Sequence, residues 1–222
     1  MCKKIENINI FDKGSIPIYD CDICNHEELA EYVVKTGSNN NTRSVIDNKL
    51  NENKQYKDSQ IKKTPPATLK YKETNDIQLQ SKVNEEIQKH GVILHTGQVL
   101  YHGGLFNIKD KTNPKRTLST TLNPDVALAE CYHKGKAYKE GEVNINILTI
   151  KDDNIKAIVF NNRIKKNHER EILLEQDLEF VTKCKKQYGT TKVTAVKDRT
   201  NMVEKEVPVY ITKIEVYKSK TN

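Results

Sequence analysis

The sequence predicts an α+β fold, and three observations carry that prediction. Helical patterns account for the regular structure up to residue 90, strand patterns dominate afterwards, and one capped helix interrupts the strands. Helices grouped first and strands grouped later define this class rather than an alternating parallel one.

Residues 24–36 predict a helix. Asn25 suits the N-cap, Glu28 follows three positions on, Leu29, Tyr32 and Val33 share a face, and Gly37 ends it. From Gly37 to Pro66 the chain turns polar: Ser38-Asn39-Asn40-Asn41, then a Lys/Asn/Gln-rich run closing in Thr64-Pro65-Pro66. Such a stretch buries little apolar surface and reads as a linker or irregular arm. The expected division is therefore an N-terminal helical or irregular arm with a polar linker over 1–64 and a main domain over 65–222. Thr74 to His90 predicts a second helix, with Leu79, Val83 and Ile87 at i, i+4 and i+8 and Gly91 as its stop. Strands are expected at 98–102, 143–150, 156–160, 171–174, 178–184, 190–196 and 207–217. The interrupting helix has Asn123 as cap, Pro124 at its first position and Val126-Ala127-Leu128-Ala129 within, up to Gly135.

Composition narrows the class. The 222 residues are 36% hydrophobic and 30% charged, without Trp, which suits a polar protein with a modest core. No apolar run approaches the roughly 20 residues of a membrane span, so no membrane partner is expected. The start, Met1-Cys2-Lys3-Lys4-Ile5-Glu6-Asn7, lacks the apolar centre of a secretory signal. A cytoplasmic location is expected, in a host cell if the protein is delivered there. Five scattered cysteines argue against a disulfide framework and for a reducing compartment. Cys21 and Cys24 lie near His26 and Cys2, but no second pair stands at a useful spacing. A surface turn is favoured there over structural zinc, and the remaining histidines form no spaced ligand set, so no metal is expected. Residues 183–222 hold 10 basic and 4 acidic residues, +6 of the net +7. That suits an anionic partner such as a pyrophosphate, nucleic acid or an acidic protein surface; solvated strand faces are the alternative.

Three segments then stand in a telling order. Val99-Leu100-Tyr101-His102-Gly103-Gly104 comes first and Leu118-Ser119-Thr120-Thr121-Leu122-Asn123-Pro124 second. Third comes His168-Glu169-Arg170-Glu171-Ile172-Leu173-Leu174. On a strand, residues i and i+2 share a face, so Glu169 and Glu171 would project into one cleft while Arg170 points away. Adjacent like charges are costly unless they do chemistry or meet a partner.

Taken together, the segments resemble the mono-ADP-ribosyltransferases, whose pattern runs strand-[Arg/His]-Gly, Ser-Thr-Ser/Thr, Glu-x-Glu. The resemblance spans roughly residues 65–217, and the size and closing strands are most similar to the small bacteriophage enzymes, then to bacterial toxins. It implies two small β-sheets packed around a NAD cleft, with NAD as substrate. Glu171 would steady the oxocarbenium-like ribose formed as nicotinamide leaves. Glu169 would orient the acceptor, with an arginine guanidinium favoured over nucleic acid or other groups. Ser119 would hold the catalytic carboxylate, and Thr120 would continue the NAD-binding segment.

His102 departs from the pattern. Chains with Ser-Thr-Ser and Glu-x-Glu usually carry Arg at this strand; His-Gly belongs to the diphtheria-toxin and poly(ADP-ribose) polymerase branch, where it meets a ribose hydroxyl. An imidazole binds phosphate less strongly than a guanidinium, so pyrophosphate would fall to Arg116, Lys115 or the basic C-terminal strands. The resemblance assigns Gly103 to the nicotinamide amide, through backbone groups without a Cβ. Phe106, Tyr132 or Tyr101 would stack on nicotinamide, though Tyr101 should face away from His102. Two further readings stay open: a NAD glycohydrolase, and a degenerate fold kept as a nucleic-acid or protein-binding module.

Overall fold

The computed structural model describes residues 25–105, 116–161, 170–196 and 202–219. Helix α1 (His26–Thr36) is capped by Asn25, whose side chain accepts from the amides of Glu27 and Glu28. The cap and acidic first turn satisfy orphan N–H groups and suit the helix dipole. The expected polar arm is instead helical, as α2 (Asn40–Glu52) and α3 (Lys54–Ser59), capped by Asn39 and Asn53. Ile46, Leu50 and Tyr56 are fully buried, in one cluster with Leu29 of α1 and the sheet residues Leu148, Ile172 and Leu174. A few well-spaced apolar residues sufficed to dock this polar segment, because tertiary burial outweighs weak local propensity.

Helix α4 (Pro66–Thr74) begins with a proline at its first turn and ends at Asn75 in the left-handed conformation. Glu86 serves as its cap from a distance, accepting from Ala67 N, Thr68 N and Thr68 Oγ1. Glu86 belongs to α5 (Gln80–His90), which follows a short 3-10 turn. The helix expected from Thr74 therefore starts later, and its N-terminal part is the turn beyond α4.

The strands are β1 (Val92–Ile93), β2 (Val99–Gly103), β3 (Leu118–Thr121), β4 (Val143–Ile150), β5 (Lys156–Val159), β6 (Glu171–Leu174), β7 (Leu178–Val196) and β8 (Met202–Lys218). Helices α6 (Pro124–Tyr132) and α7 (Lys136–Glu140) lie between β3 and β4. The strand order is β1-β5-β6-β3-β2-β4-β8-β7; β4 and β8 pair parallel and the other neighbouring strands antiparallel. This is the expected α+β class. In place of two separate sheets there is one continuous sheet, but its halves, β1-β5-β6-β3 and β2-β4-β8-β7, join through a single register pair, Tyr101 with Thr121. The two segments expected at 178–184 and 190–196 are one strand, carried past Gln187–Gly189 by a register irregularity.

Strand β6 lies between β3 and β5 and is covered on both faces. Ile172 and Leu174 meet α1–α3, whereas Leu173, with Ile158 and Phe160, meets Val83 and Ile87 of α5. Burial on both faces explains its unbroken apolar run. Among the described residues no helix is long and apolar enough to cross a membrane.

Candidate active site

Strands β3 and β6 pair antiparallel with Ser119 opposite Leu173 and Thr121 opposite Glu171. Residues opposite or two apart share a face, so Ser119 and Glu171 emerge together. Ser119 Oγ donates to Glu171 Oε1 at 2.7 Å. The other oxygen, Oε2, meets Lys72 Nζ of α4 at 2.6 Å. The same ammonium sits 3.9 Å above the Phe160 ring centroid, a cation–π position. The Lys72 and Glu171 side chains are 17% and 11% exposed, so this pair stands at the cleft wall rather than in open solvent.

A cavity of about 540 Å³ opens here, walled by α4, β2, β3, the start of β6, α6 and the turn into α7. Lys72, His102, Ser119, Lys136 and Glu171 line it. His102 lies beside the Ser119–Glu171 pair, its Nδ1 2.8 Å from the Ser119 carbonyl oxygen. Burial pulls its pKa down to about 4; the Ser119 carbonyl opposes that pull and Lys136 adds to it. The ring is therefore neutral at neutral pH. A carbonyl can only accept, so Nδ1 carries the proton and Nε2 is the acceptor nitrogen.

The end of β2 is held from two sides. Buried Asn146 of β4 donates from Nδ2 to the carbonyls of His102 and Gly104 at 3.1 and 2.8 Å. Lys136 Nζ donates to the Gly103 carbonyl at 2.7 Å, which keeps an ammonium in the cavity wall. A Cβ on Gly103 would lie 1.9 Å from the Ala127 carbonyl oxygen. The missing side chain thus lets α6 approach β2, and that packing accounts for the glycine without any ligand.

The structure sorts the sequence-derived candidates. Glu171, Ser119, His102, Gly103 and Thr120 all line the one cavity. The Thr120 hydroxyl is directed into the sheet, donating to the Ile172 carbonyl at 2.7 Å, so it serves β3–β6 pairing. Arg116 is exposed and is not in the cavity lining; the cations there are Lys72, Lys134 and Lys136. Glu169, Phe106 and Lys115 lie outside the described residues. Strand β6 begins only at Glu171, and Arg170 before it has φ +48°. The expectation that Glu169 shares a face with Glu171 falls on a residue outside the described ones. Tyr101 borders the cavity but is fully buried, with its hydroxyl 2.8 Å from His26 Nδ1. Tyr132 does not line the cavity, whereas Tyr71 of α4 does.

Sequence reasoning missed Lys72, Tyr71 and Lys136. The run Leu69-Lys70-Tyr71-Lys72-Glu73 carries no motif, and only the spatial return of α4 over β6 brings it to the site. Four of the ten basic residues of 183–222 are ion-paired: Lys183 with Glu215, Lys185 with Glu142, Lys213 with Glu27 and Lys218 with Glu175. At those four positions the strand faces are solvated and ion-paired, the alternative reading of the charge. Among the described residues no group of three or more His, Cys, Asp or Glu is placed to hold a metal.

The fold and cleft together define an α+β protein with a hydroxyl–carboxylate pair beside a neutral histidine. No protein-family model matches the chain, and no curated relative matches it. Among solved structures it is similar to the ADP-ribosyltransferase Vis in complex with agmatine, at 13% identity, 87% of this chain, 86% of that chain and TM-score 0.36. Vis in complex with the M6 inhibitor gives 12% identity, 86% and 82% coverage, and TM-score 0.34. The enzymatic component C2-I of the C2 toxin from Clostridium botulinum gives 12% identity, TM-score 0.33, and 86% of this chain over 46% of that one. These values carry no residue-level correspondence, and the chemistry of the cleft rests on its own side chains.

Proposed function

We propose that the chain is a mono-ADP-ribosyltransferase that transfers ADP-ribose from NAD to a macromolecular acceptor. The observation that carries this reading is the Ser119–Glu171 contact at 2.7 Å, in a cavity that also holds neutral His102. The order of the three motifs in the sequence supports it independently.

In the reaction the bond between the ribose C1′ and the nicotinamide nitrogen breaks. The bonding pair leaves with nicotinamide, neutralising the pyridinium, and C1′ gains oxocarbenium character. Glu171 supplies the fixed anion for that developing charge, and Ser119 holds its rotamer. His102, with Nε2 as acceptor, is suited to a ribose hydroxyl. Lys136 and Lys134 supply cations for the pyrophosphate in place of the expected Arg116. Tyr71 offers a ring in the same cavity. The acceptor nucleophile then bonds to C1′ and gives up its proton to solvent. Glu169 is assigned to acceptor orientation, with arginine as the favoured acceptor.

The test is nicotinamide release from NAD, with labelled NAD and a cell lysate used to find modified macromolecules by mass spectrometry. Glu171→Gln keeps the shape and removes the anion, so hydrolysis and transfer should fall together by about a hundredfold or more. Near-normal NAD cleavage by this variant would refute the assignment.

A further inference from the structure

Arg170, the residue before the catalytic strand, is built into a part-buried polar clamp. Its backbone stands in the left-handed region at φ +48°, and its side chain is turned to α2, leaving the residue 7% exposed. Arg170 Nε meets Asp47 Oδ1 at 2.9 Å, and Nη1 donates to Asn51 Oδ1 at 3.0 Å. The same Asp47 oxygen accepts from Asn123 Nδ2 at 3.1 Å. Asn123 follows β3 and caps α6, its own Oδ1 accepting from Asp125 N at 3.0 Å. One turn back along α2, Arg43 Nε meets the fully buried Asp125 at 2.7 Å. Arg43, Asp47 and Asn51 stand at i, i+4 and i+8, a single stripe of the helix.

Helix α2 thus grips the start of β6 and the end of β3 together. Those two strands carry Glu171 and Ser119. A non-glycine residue holds a left-handed backbone only where its surroundings over-determine it, and such positions cluster at functional sites. A buried ion pair by itself is a weak source of stability compared with apolar side chains of the same volume. Geometry is what this one supplies.

We propose that Asp47 is a positioning residue for Glu171, acting through Arg170 and Asn123, so that α2 belongs to the catalytic apparatus. The proposal rests on the assignment of Glu171 above. Without the Asp47 carboxylate the guanidinium loses its anchor, the Arg170 backbone relaxes, and the carboxylate one residue on moves away from Ser119.

The test uses the full chain as wild type, Asp47→Asn and the double variant Asp47→Leu/Arg170→Met, which removes both charges and keeps apolar volume. Three quantities are measured: kcat and KM for nicotinamide release from NAD, Tm, and amide hydrogen exchange over 119–123 and 171–174. Asp47→Asn should lower kcat on the order of 10- to 100-fold, as misplacement of a reacting group does. KM should move by less than about twofold, since substrate contacts remain. The double variant should regain Tm without regaining kcat, and exchange should rise at both strands. A double variant with wild-type Tm and wild-type kcat overturns the proposal. If wild type releases no nicotinamide, the enzymatic reading fails by itself; unchanged β3 and β6 exchange in the double variant then overturns the clamp.

Discussion

Lys72 and Glu171, from a helix and a strand about a hundred residues apart, form an ion pair of 2.6 Å inside the proposed active site. With Ser119 on the other oxygen at 2.7 Å, both oxygens of the carboxylate are engaged by side chains from different elements. A carboxylate held from two sides is oriented before substrate arrives, and on the proposed reading a ribose hydroxyl would have to share Glu171 with the Lys72 ammonium.

Lys72→Met removes the ammonium and keeps an apolar stem against Phe160. If the ion pair competes with substrate, KM for NAD should fall several-fold. The folding cost should be about 1–3 kcal/mol, because a mostly buried carboxylate loses its cation. Steady-state kinetics decide the matter: a KM that rises instead would assign Lys72 to a phosphate.

His102 and His26 both have pKa values pulled down from 6.5 to about 4 by burial. Between those values the unfolded chain binds protons that the folded chain does not, so stability is full above pH 6.5 and declines as pH falls towards 4. The urea midpoint should track that window, and a His26→Asn/His102→Asn variant should show a shallower decline than wild type. Parallel pH profiles for the two proteins would contradict the burial argument.

Gly103→Ala should be poorly tolerated. Its Cβ would meet backbone, not a flexible side chain, at 1.9 Å. Forcing α6 off β2 should cost about 1–3 kcal/mol or more, the range for overpacked sites. Thermal denaturation reports it, and an unchanged Tm would mean that α6 is free to shift.

Leu50→Ala tests whether α2 belongs to the core. Leu50 is fully buried in the cluster shared with β4 and β6. Its truncation should cost about 2–5 kcal/mol in chemical denaturation. A loss near zero would return residues 37–66 to the status of a peripheral arm.

What the chain encodes locally was legible in order of residues alone. Asn25 and Asn123 announced their helices because capping is a property of a few neighbouring residues. Strands β4 and β8 followed from apolar residues recurring in a short window. The Ser119–Glu171 pair was legible for another reason: motif order carries family resemblance even where geometry is unknown. Tertiary structure decided the rest. Helix α2 escaped notice because its buried apolar residues are few, Ile46 and Leu50, and the stripe beside them is polar: Arg43, Asp47 and Asn51 read as solvated until Asp125, Arg170 and Asn123 arrive as partners. Lys72 reads as one solvated charge among many until α4, capped by Glu86 across a tertiary contact, is laid over β6. The left-handed Arg170 is likewise accompanied by Asp47 and Asn51, far away in sequence. Caps and periodicities depend on residues within a turn or two, whereas buried charges acquire their partners only when distant segments pack.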